Sequence, residues 1–90
     1  MSLNFAPATG ALAAFDLLHI ETAGAVAHIR LNRPAKRNAI NDTLIAQLHS
    51  AFISLPAEVK AVVLSGAGEH FCAGLDLSEL KERDAGEGEL

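Results

Sequence analysis

The run Ala61-Val62-Val63-Leu64-Ser65-Gly66, followed by Phe71-Cys72-Ala73-Gly74-Leu75-Asp76-Leu77, decides how the chain folds. A short apolar segment rich in β-branched residues predicts a buried strand. Gly66, Gly68 and Gly74 then allow sharp turns that expose backbone amides. From Asp76 the sequence Asp-Leu-Ser-Glu-Leu-Lys reads as a helix start, with acids early and a base after them. Strand, glycine turn and helix N-terminus together aim N–H donors at one point in space. Such a point suits a developing negative oxygen.

Upstream, Leu18 and Ile20 alternate with His19 and Glu21, and Ala27, Ile29 and Leu31 alternate with Val26, His28 and Arg30. With Ala23-Gly24-Ala25 between them, these runs predict a β-hairpin with one buried face. His19 and His28 fall on its solvent-facing register. The next stretch, Asn32-Arg33-Pro34-Ala35-Lys36-Arg37-Asn38, breaks the strand at Pro34 and gathers three cations within five residues. It is either a plain surface loop or a contact for an anion such as phosphate. Asn41 or Asp42 can cap a helix. Leu44, Ile45, Leu48, Phe52 and Leu55 recur at helical spacing, which predicts a helix over about Asp42 to Leu55 that buries Leu44, Leu48 and Phe52. Pro56 ends it.

Ninety residues make at most one small domain, and half of them are apolar, so composition does not predict disorder. The net charge of −4 with no basic stripe argues against nucleic acid. A single cysteine can form neither an internal disulfide nor a thiolate metal cluster, which suits a reducing cytoplasm. No apolar run approaches the ~20 residues of a membrane span. The uncharged, Ala-rich start lacks the basic region of a signal peptide. Residues 1–16 are expected to form a flexible arm, 17–84 the folded part and 85–90 a charged, glycine-containing end, with Lys81 to Leu90 a fraying helix terminus.

Rival readings of the central turn are weaker. Cys72 lacks an orienting His or Asn pattern and reads as a small buried thiol. Gly66-Ala67-Gly68 fails as a dinucleotide fingerprint because the third glycine would fall at Phe71. Asp76 at a helix start is a cap before it is a general base. No His, Cys, Asp or Glu set has metal-ligand spacing.

Two segments resemble the crotonase (enoyl-CoA hydratase/isomerase) superfamily: Leu31-Asn32-Arg33-Pro34-Ala35-Lys36-Arg37-Asn38-Ala39-Ile40-Asn41, and the stretch from Val62 through Leu77. The resemblance covers roughly residues 17 to 84 and implies an α/β fold: the first ββα turn, and the start of the second, of a crotonase-like ββα spiral, incomplete in this chain. It implies an acyl-CoA thioester as substrate and a thioester enolate held in an oxyanion hole of two backbone N–H groups. The first donor would be Leu75. Ala39, Ala73, Asp76 and Leu77 would wrap the coenzyme A moiety, with Lys36 and Arg37 near its phosphates.

Coenzyme A would enter as part of the substrate, with no tightly bound cofactor and no metal. A homo-oligomer, trimeric or hexameric, is implied as well. In the superfamily the second donor and the acid/base carboxylates come later than Leu90, so efficient catalysis by these residues alone is not expected. The alternative is a non-catalytic module that binds coenzyme A weakly or assembles with a partner chain.

Overall fold

A computed structural model describes residues 4–78. The architecture is α/β, a mixed four-stranded sheet with one helix. Strand β1 (Ala6–Pro7) pairs antiparallel with β2 (Leu18–Ala23), which forms the expected hairpin with β3 (Val26–Leu31). Helix α1 (Asp42–Ile53) then crosses over, and β4 (Ala61–Gly66) returns parallel to β3. The sheet order is β1-β2-β3-β4. Hairpin, helix and returning strand make one ββα turn and the start of a second.

The hairpin closes over Gly24 and Ala25, inside the Ala23–Val26 pair. Gly24 takes a φ of +58°, as the first central residue of a type II′ loop does. The period-2 pattern then puts Leu18, Ile20, Ala27, Ile29 and Leu31 into the core. The carbonyl of Ala25 accepts from the amides of Lys60 (2.7 Å) and Ala61 (3.2 Å), which docks the start of β4 against the hairpin turn.

Asn41 caps α1: its side-chain oxygen accepts from the Leu44 amide at 2.8 Å. Gln47 ties the helix to the approach to β2, accepting from the Leu17 amide at 3.0 Å and donating to Asp16 at 2.6 Å. Leu44 and Ala51 are buried, and Leu48 and Leu55 pack against the core.

Three sequence expectations need correction. Phe52 is 47% exposed, not buried. At 3.6 residues per turn Ala51 returns close to the azimuth of Leu44, whereas Phe52 lies roughly 80° around the axis, on the flank of the stripe. Strand β4 is not buried either. Leu64 shares the core face with its partner Ile29, yet it is 41% exposed because α1 lies chiefly over β2. The sequence also predicts a flexible arm over residues 1–16. Its described part instead adds β1 to the sheet edge, where a proline is tolerated, and buries Leu12 from the 3-10 turn Gly10–Ala13. The stretch from Lys81 to Leu90 lies outside the described residues.

Burial therefore separates two apolar positions on one helix. Leu44→Ala should cost about 2–5 kcal/mol, and Phe52→Ala below about 1 kcal/mol. Urea unfolding of the two variants checks this: equal losses would contradict the helix azimuth.

Candidate functional site

The site is built from two loops that leave adjacent parallel strands. After β3 the chain passes through a 3-10 turn, Pro34–Lys36, and then through Arg37 and Asn38, with φ of +53° and +58°. Two consecutive left-handed residues that are not glycine cost on the order of 1–3 kcal/mol each and need support from their surroundings.

Asn38 supplies that support. Its side chain is fully buried, and its oxygen accepts from the Arg33 amide at 2.8 Å. Its Nδ2 donates to the carbonyls of Ala67 (3.0 Å) and His70 (2.7 Å) on the loop after β4. Both donors of the amide and its acceptor are used, so the two loops are joined through one satisfied polar group.

The second loop can lie this close because of Gly66. A Cβ there would come within 2.4 Å of the Phe71 carbonyl oxygen, 2.5 Å of the His70 carbonyl oxygen and 2.7 Å of the Asn38 Nδ2. Further on, Gly74 takes a φ of +90°, and its amide lies 3.4 Å from the Cys72 Sγ. Cys72 itself is half-buried against the core.

The chain then forms a parallel bridge between Leu75 and Ile40. The Ile40 amide donates to the Gly74 carbonyl at 2.7 Å, and the Asp76 amide donates to the Ile40 carbonyl at 2.8 Å. In this pattern Ile40 bonds to the residues on either side of Leu75, so the Leu75 N–H and carbonyl face away from it. Among the described residues nothing accepts a hydrogen bond from the Leu75 N–H. Asp76 caps the turn beginning at Leu77, its Oδ1 accepting from the Ser78 amide (3.1 Å) and hydroxyl (2.6 Å).

These two loops wall an open groove of about 330 Å³, lined by Ala35, Lys36, Arg37, Ala39, Ala73, Leu75, Asp76 and Leu77. Every site residue expected from the sequence lies on this groove. Leu75 is 61% exposed, so a ligand has access to it. Lys36 and Arg37 are exposed, and neither is in an ion pair among the described residues. Asp76 differs: its carboxylate lies 3.1 Å from the Arg33 Nη2, with both side chains largely buried. The groove thus presents two cations while its carboxylate is held internally, which favours an anion. Among the described residues no group of three His, Cys, Asp or Glu is placed to hold a metal ion.

Arg33 and Asn38 join the two loops of the groove, and sequence reasoning passed over them. Both stood in the quoted motif, but their partners are distant in sequence and no local pattern announces them. His28 also departs from expectation. It is half-buried, with Nε2 2.6 Å from the Ser65 hydroxyl and its ring edge-on to Phe5. Glu21, paired with it across the hairpin, keeps an oxygen 3.7 Å from Nδ1. That distance is too long for a hydrogen bond. The cluster lies across three strands, away from the groove.

The two loops thus meet beside a parallel strand pair, with the Leu75 amide bordering a groove that carries Lys36 and Arg37. The family described as enoyl-CoA hydratase/isomerase matches residues 21–89. A Rhizobium meliloti protein named as a probable enoyl-CoA hydratase is 38% identical over 78 residues, covering 84% of this chain and 30% of the relative. Human mitochondrial Delta(3,5)-Delta(2,4)-dienoyl-CoA isomerase is 47% identical over 57 residues, covering 61% of this chain and 17% of the relative.

Among solved structures, an enoyl-CoA hydratase from Mycobacterium tuberculosis superposes with a TM-score of 0.68 at 40% identity, covering 73% of this chain and 31% of that one. A Thermobifida fusca protein solved in complex with acetoacetyl-CoA gives 0.65 at 37% identity, covering 69% and 24%. The chain belongs to the enoyl-CoA hydratase/isomerase family, the crotonase superfamily. It spans 17% of the length of the human isomerase and 30% of that of the Rhizobium protein.

The Asn38 junction yields a stability prediction. Asn38→Ala removes the partner of three backbone groups at a buried position and puts a Cβ-bearing residue without a side-chain polar group at positive φ, which should cost about 3 kcal/mol or more. Asn38→Gly strands the same partners and relieves the backbone, so it should recover about 1 kcal/mol of that loss. Denaturant titration of both variants measures the difference, and a glycine variant no more stable than the alanine would remove backbone strain as a cause.

Proposed function

We propose that this chain provides the coenzyme A groove and one donor of the oxyanion hole for an acyl-CoA hydratase or isomerase. The observation that carries the reading is the Leu75 amide. It is fixed on both sides by hydrogen bonds to Ile40, takes part in no hydrogen bond itself among the described residues, and borders the groove that carries Lys36 and Arg37. A thioester carbonyl accepting from this N–H gains most as negative charge develops on its oxygen. A preorganised donor of this kind contributes on the order of 3–4 kcal/mol to the transition state.

The acyl-CoA phosphates would lie along Lys36 and Arg37, and the coenzyme A moiety would pass the backbone of Ala39, Ala73, Asp76 and Leu77. Hydration or isomerisation also needs a group that moves protons. Among the described residues the groove's one carboxylate, that of Asp76, is engaged by Arg33 and by the helix cap. Proton transfer is therefore assigned to groups other than these. The same observation favours a second reading, a module that binds the thioester without turning it over.

Two experiments separate these readings. Leu75→Pro deletes the donor without touching either bond of the Ile40 bridge, and in a protein that joins this segment to proton-transfer groups it should lower turnover of an enoyl-CoA by ~100-fold or more. Leu75→Ala keeps the amide and should cost far less. Equal losses in two folded variants would assign the effect to side-chain packing. In that same longer protein, an unsubstituted form that binds but never turns over would favour the binding module.

Replacing Lys36 and Arg37 by Gln should weaken coenzyme A binding about tenfold at low salt, with the gap to wild type narrowing as salt rises. Isothermal titration at two ionic strengths reads this out. Unchanged affinity at low salt would remove the phosphates from these two residues.

A further inference from the structure

Arg33 does not line the groove, yet it touches both of its walls. Its Nη1 donates to the carbonyl of Ala39, and its Nη2 donates to Asp76 Oδ2 at 3.1 Å. Ala39 precedes Ile40, whose carbonyl accepts from the Asp76 amide. The contacts close a ring: Arg33 to Ala39, along the chain to Ile40, across to Asp76 and back to Arg33. Arg33 is anchored in turn by Asn38, which accepts from its amide at 2.8 Å and donates its own amide to its carbonyl at 2.8 Å.

We propose that Arg33 is a positioning residue, holding the two groove walls at the separation that aims the Leu75 N–H at the thioester oxygen. This rests on the reading of Leu75 as the oxyanion donor. The Leu75 amide forms no hydrogen bond of its own among the described residues, so its direction is set by its neighbours, Gly74 and Asp76. Gly74 is tied to Ile40 by one hydrogen bond. Asp76 is tied to the facing loop by its amide, to Ile40, and by its carboxylate, to Arg33.

The two carboxylate oxygens divide the work. Oδ2 meets the guanidinium, and Oδ1 caps the turn that begins at Leu77. A planar guanidinium can span a carbonyl on one loop and a carboxylate on the other in a fixed fork, whereas an ammonium is a single point charge. The pair is largely buried, at 13% and 11% side-chain exposure, so it is not a screened surface bridge. Misplacing a reacting group by ~1 Å can cost ~100-fold, so loosening this ring has a measurable consequence.

The test uses acetoacetyl-CoA as the probe. When it enolises, the proton on the carbon between its two carbonyls leaves to solvent, and the electron pair is delocalised onto the carbonyl oxygens. A well-aimed N–H at the thioester oxygen therefore raises the enolate fraction of the bound ligand, seen in near-ultraviolet absorption. Arg33→Met should lower that fraction about tenfold or more while affinity for coenzyme A itself stays within about threefold. Arg33→Lys should fall between it and wild type, and it serves if the Met variant does not fold.

A folded variant that keeps the wild-type enolate fraction overturns the proposal. So does one that loses enolate and coenzyme A affinity in equal proportion, the mark of a purely structural role. If the wild type binds the probe and does not enolise it, the oxyanion reading itself falls. The Leu75 ¹⁵N–¹H resonance of the unliganded protein then decides the remainder. A resonance moved by Arg33→Lys supports positioning of the amide, and one that does not move overturns it.

Discussion

The groove depends on one buried amide. Asn38 has no exposure to solvent, and a polar group so placed is tolerated only when its hydrogen-bonding capacity is met. It is met by a loop on each side: Arg33 before it, and Ala67 and His70 after β4. The left-handed backbone at Arg37 and Asn38 and the missing Cβ at Gly66 follow from the same constraint. That junction acts together with the Ile40 bridge and the Arg33 contacts on the segments that flank Leu75 and Ala39.

The sheet delivers these loops to the same end of the fold because β3 and β4 are parallel and in register, Leu31 opposite Gly66. Parallel pairing places both C-terminal ends side by side, and the chains leaving them meet again at the Ile40–Leu75 bridge. Here an apolar hairpin and a capped helix do ordinary structural work so that two irregular segments can be juxtaposed. The group they present to the groove at Leu75 is a backbone amide. In the proposed role a leucine can stand at this position, because the amide and not the side chain would meet the thioester oxygen.

Charge is arranged with the same division. Arg33 and Asp76 neutralise each other in the wall, while Lys36 and Arg37 remain unpaired at the rim among the described residues. A single pairing thus converts a loop with three cations and a neighbouring acid into a stiff frame with a positive edge. The frame resists solvent competition because it is largely buried, and the edge remains accessible to a diffusing anion.

Whatever depends on local period and local chemistry was legible in the amino-acid order. The alternation of Leu18, Ile20, Ala27, Ile29 and Leu31 specified the hairpin, Asn41 or Asp42 a helix cap, and Pro34 with the glycines the breaks. Which apolar residues are covered was settled only by packing in three dimensions. Phe52 and Leu64 fit their periods as well as Leu44 does, but covering them requires a neighbour at the right azimuth, and α1 lies chiefly over β2. The contacts of Arg33, Asn38 and His28 likewise depend on the tertiary fold. Their partners, Asp76, Ala67, His70 and Ser65, are distant in sequence, and a hydrogen bond between distant residues leaves no periodic trace in either segment.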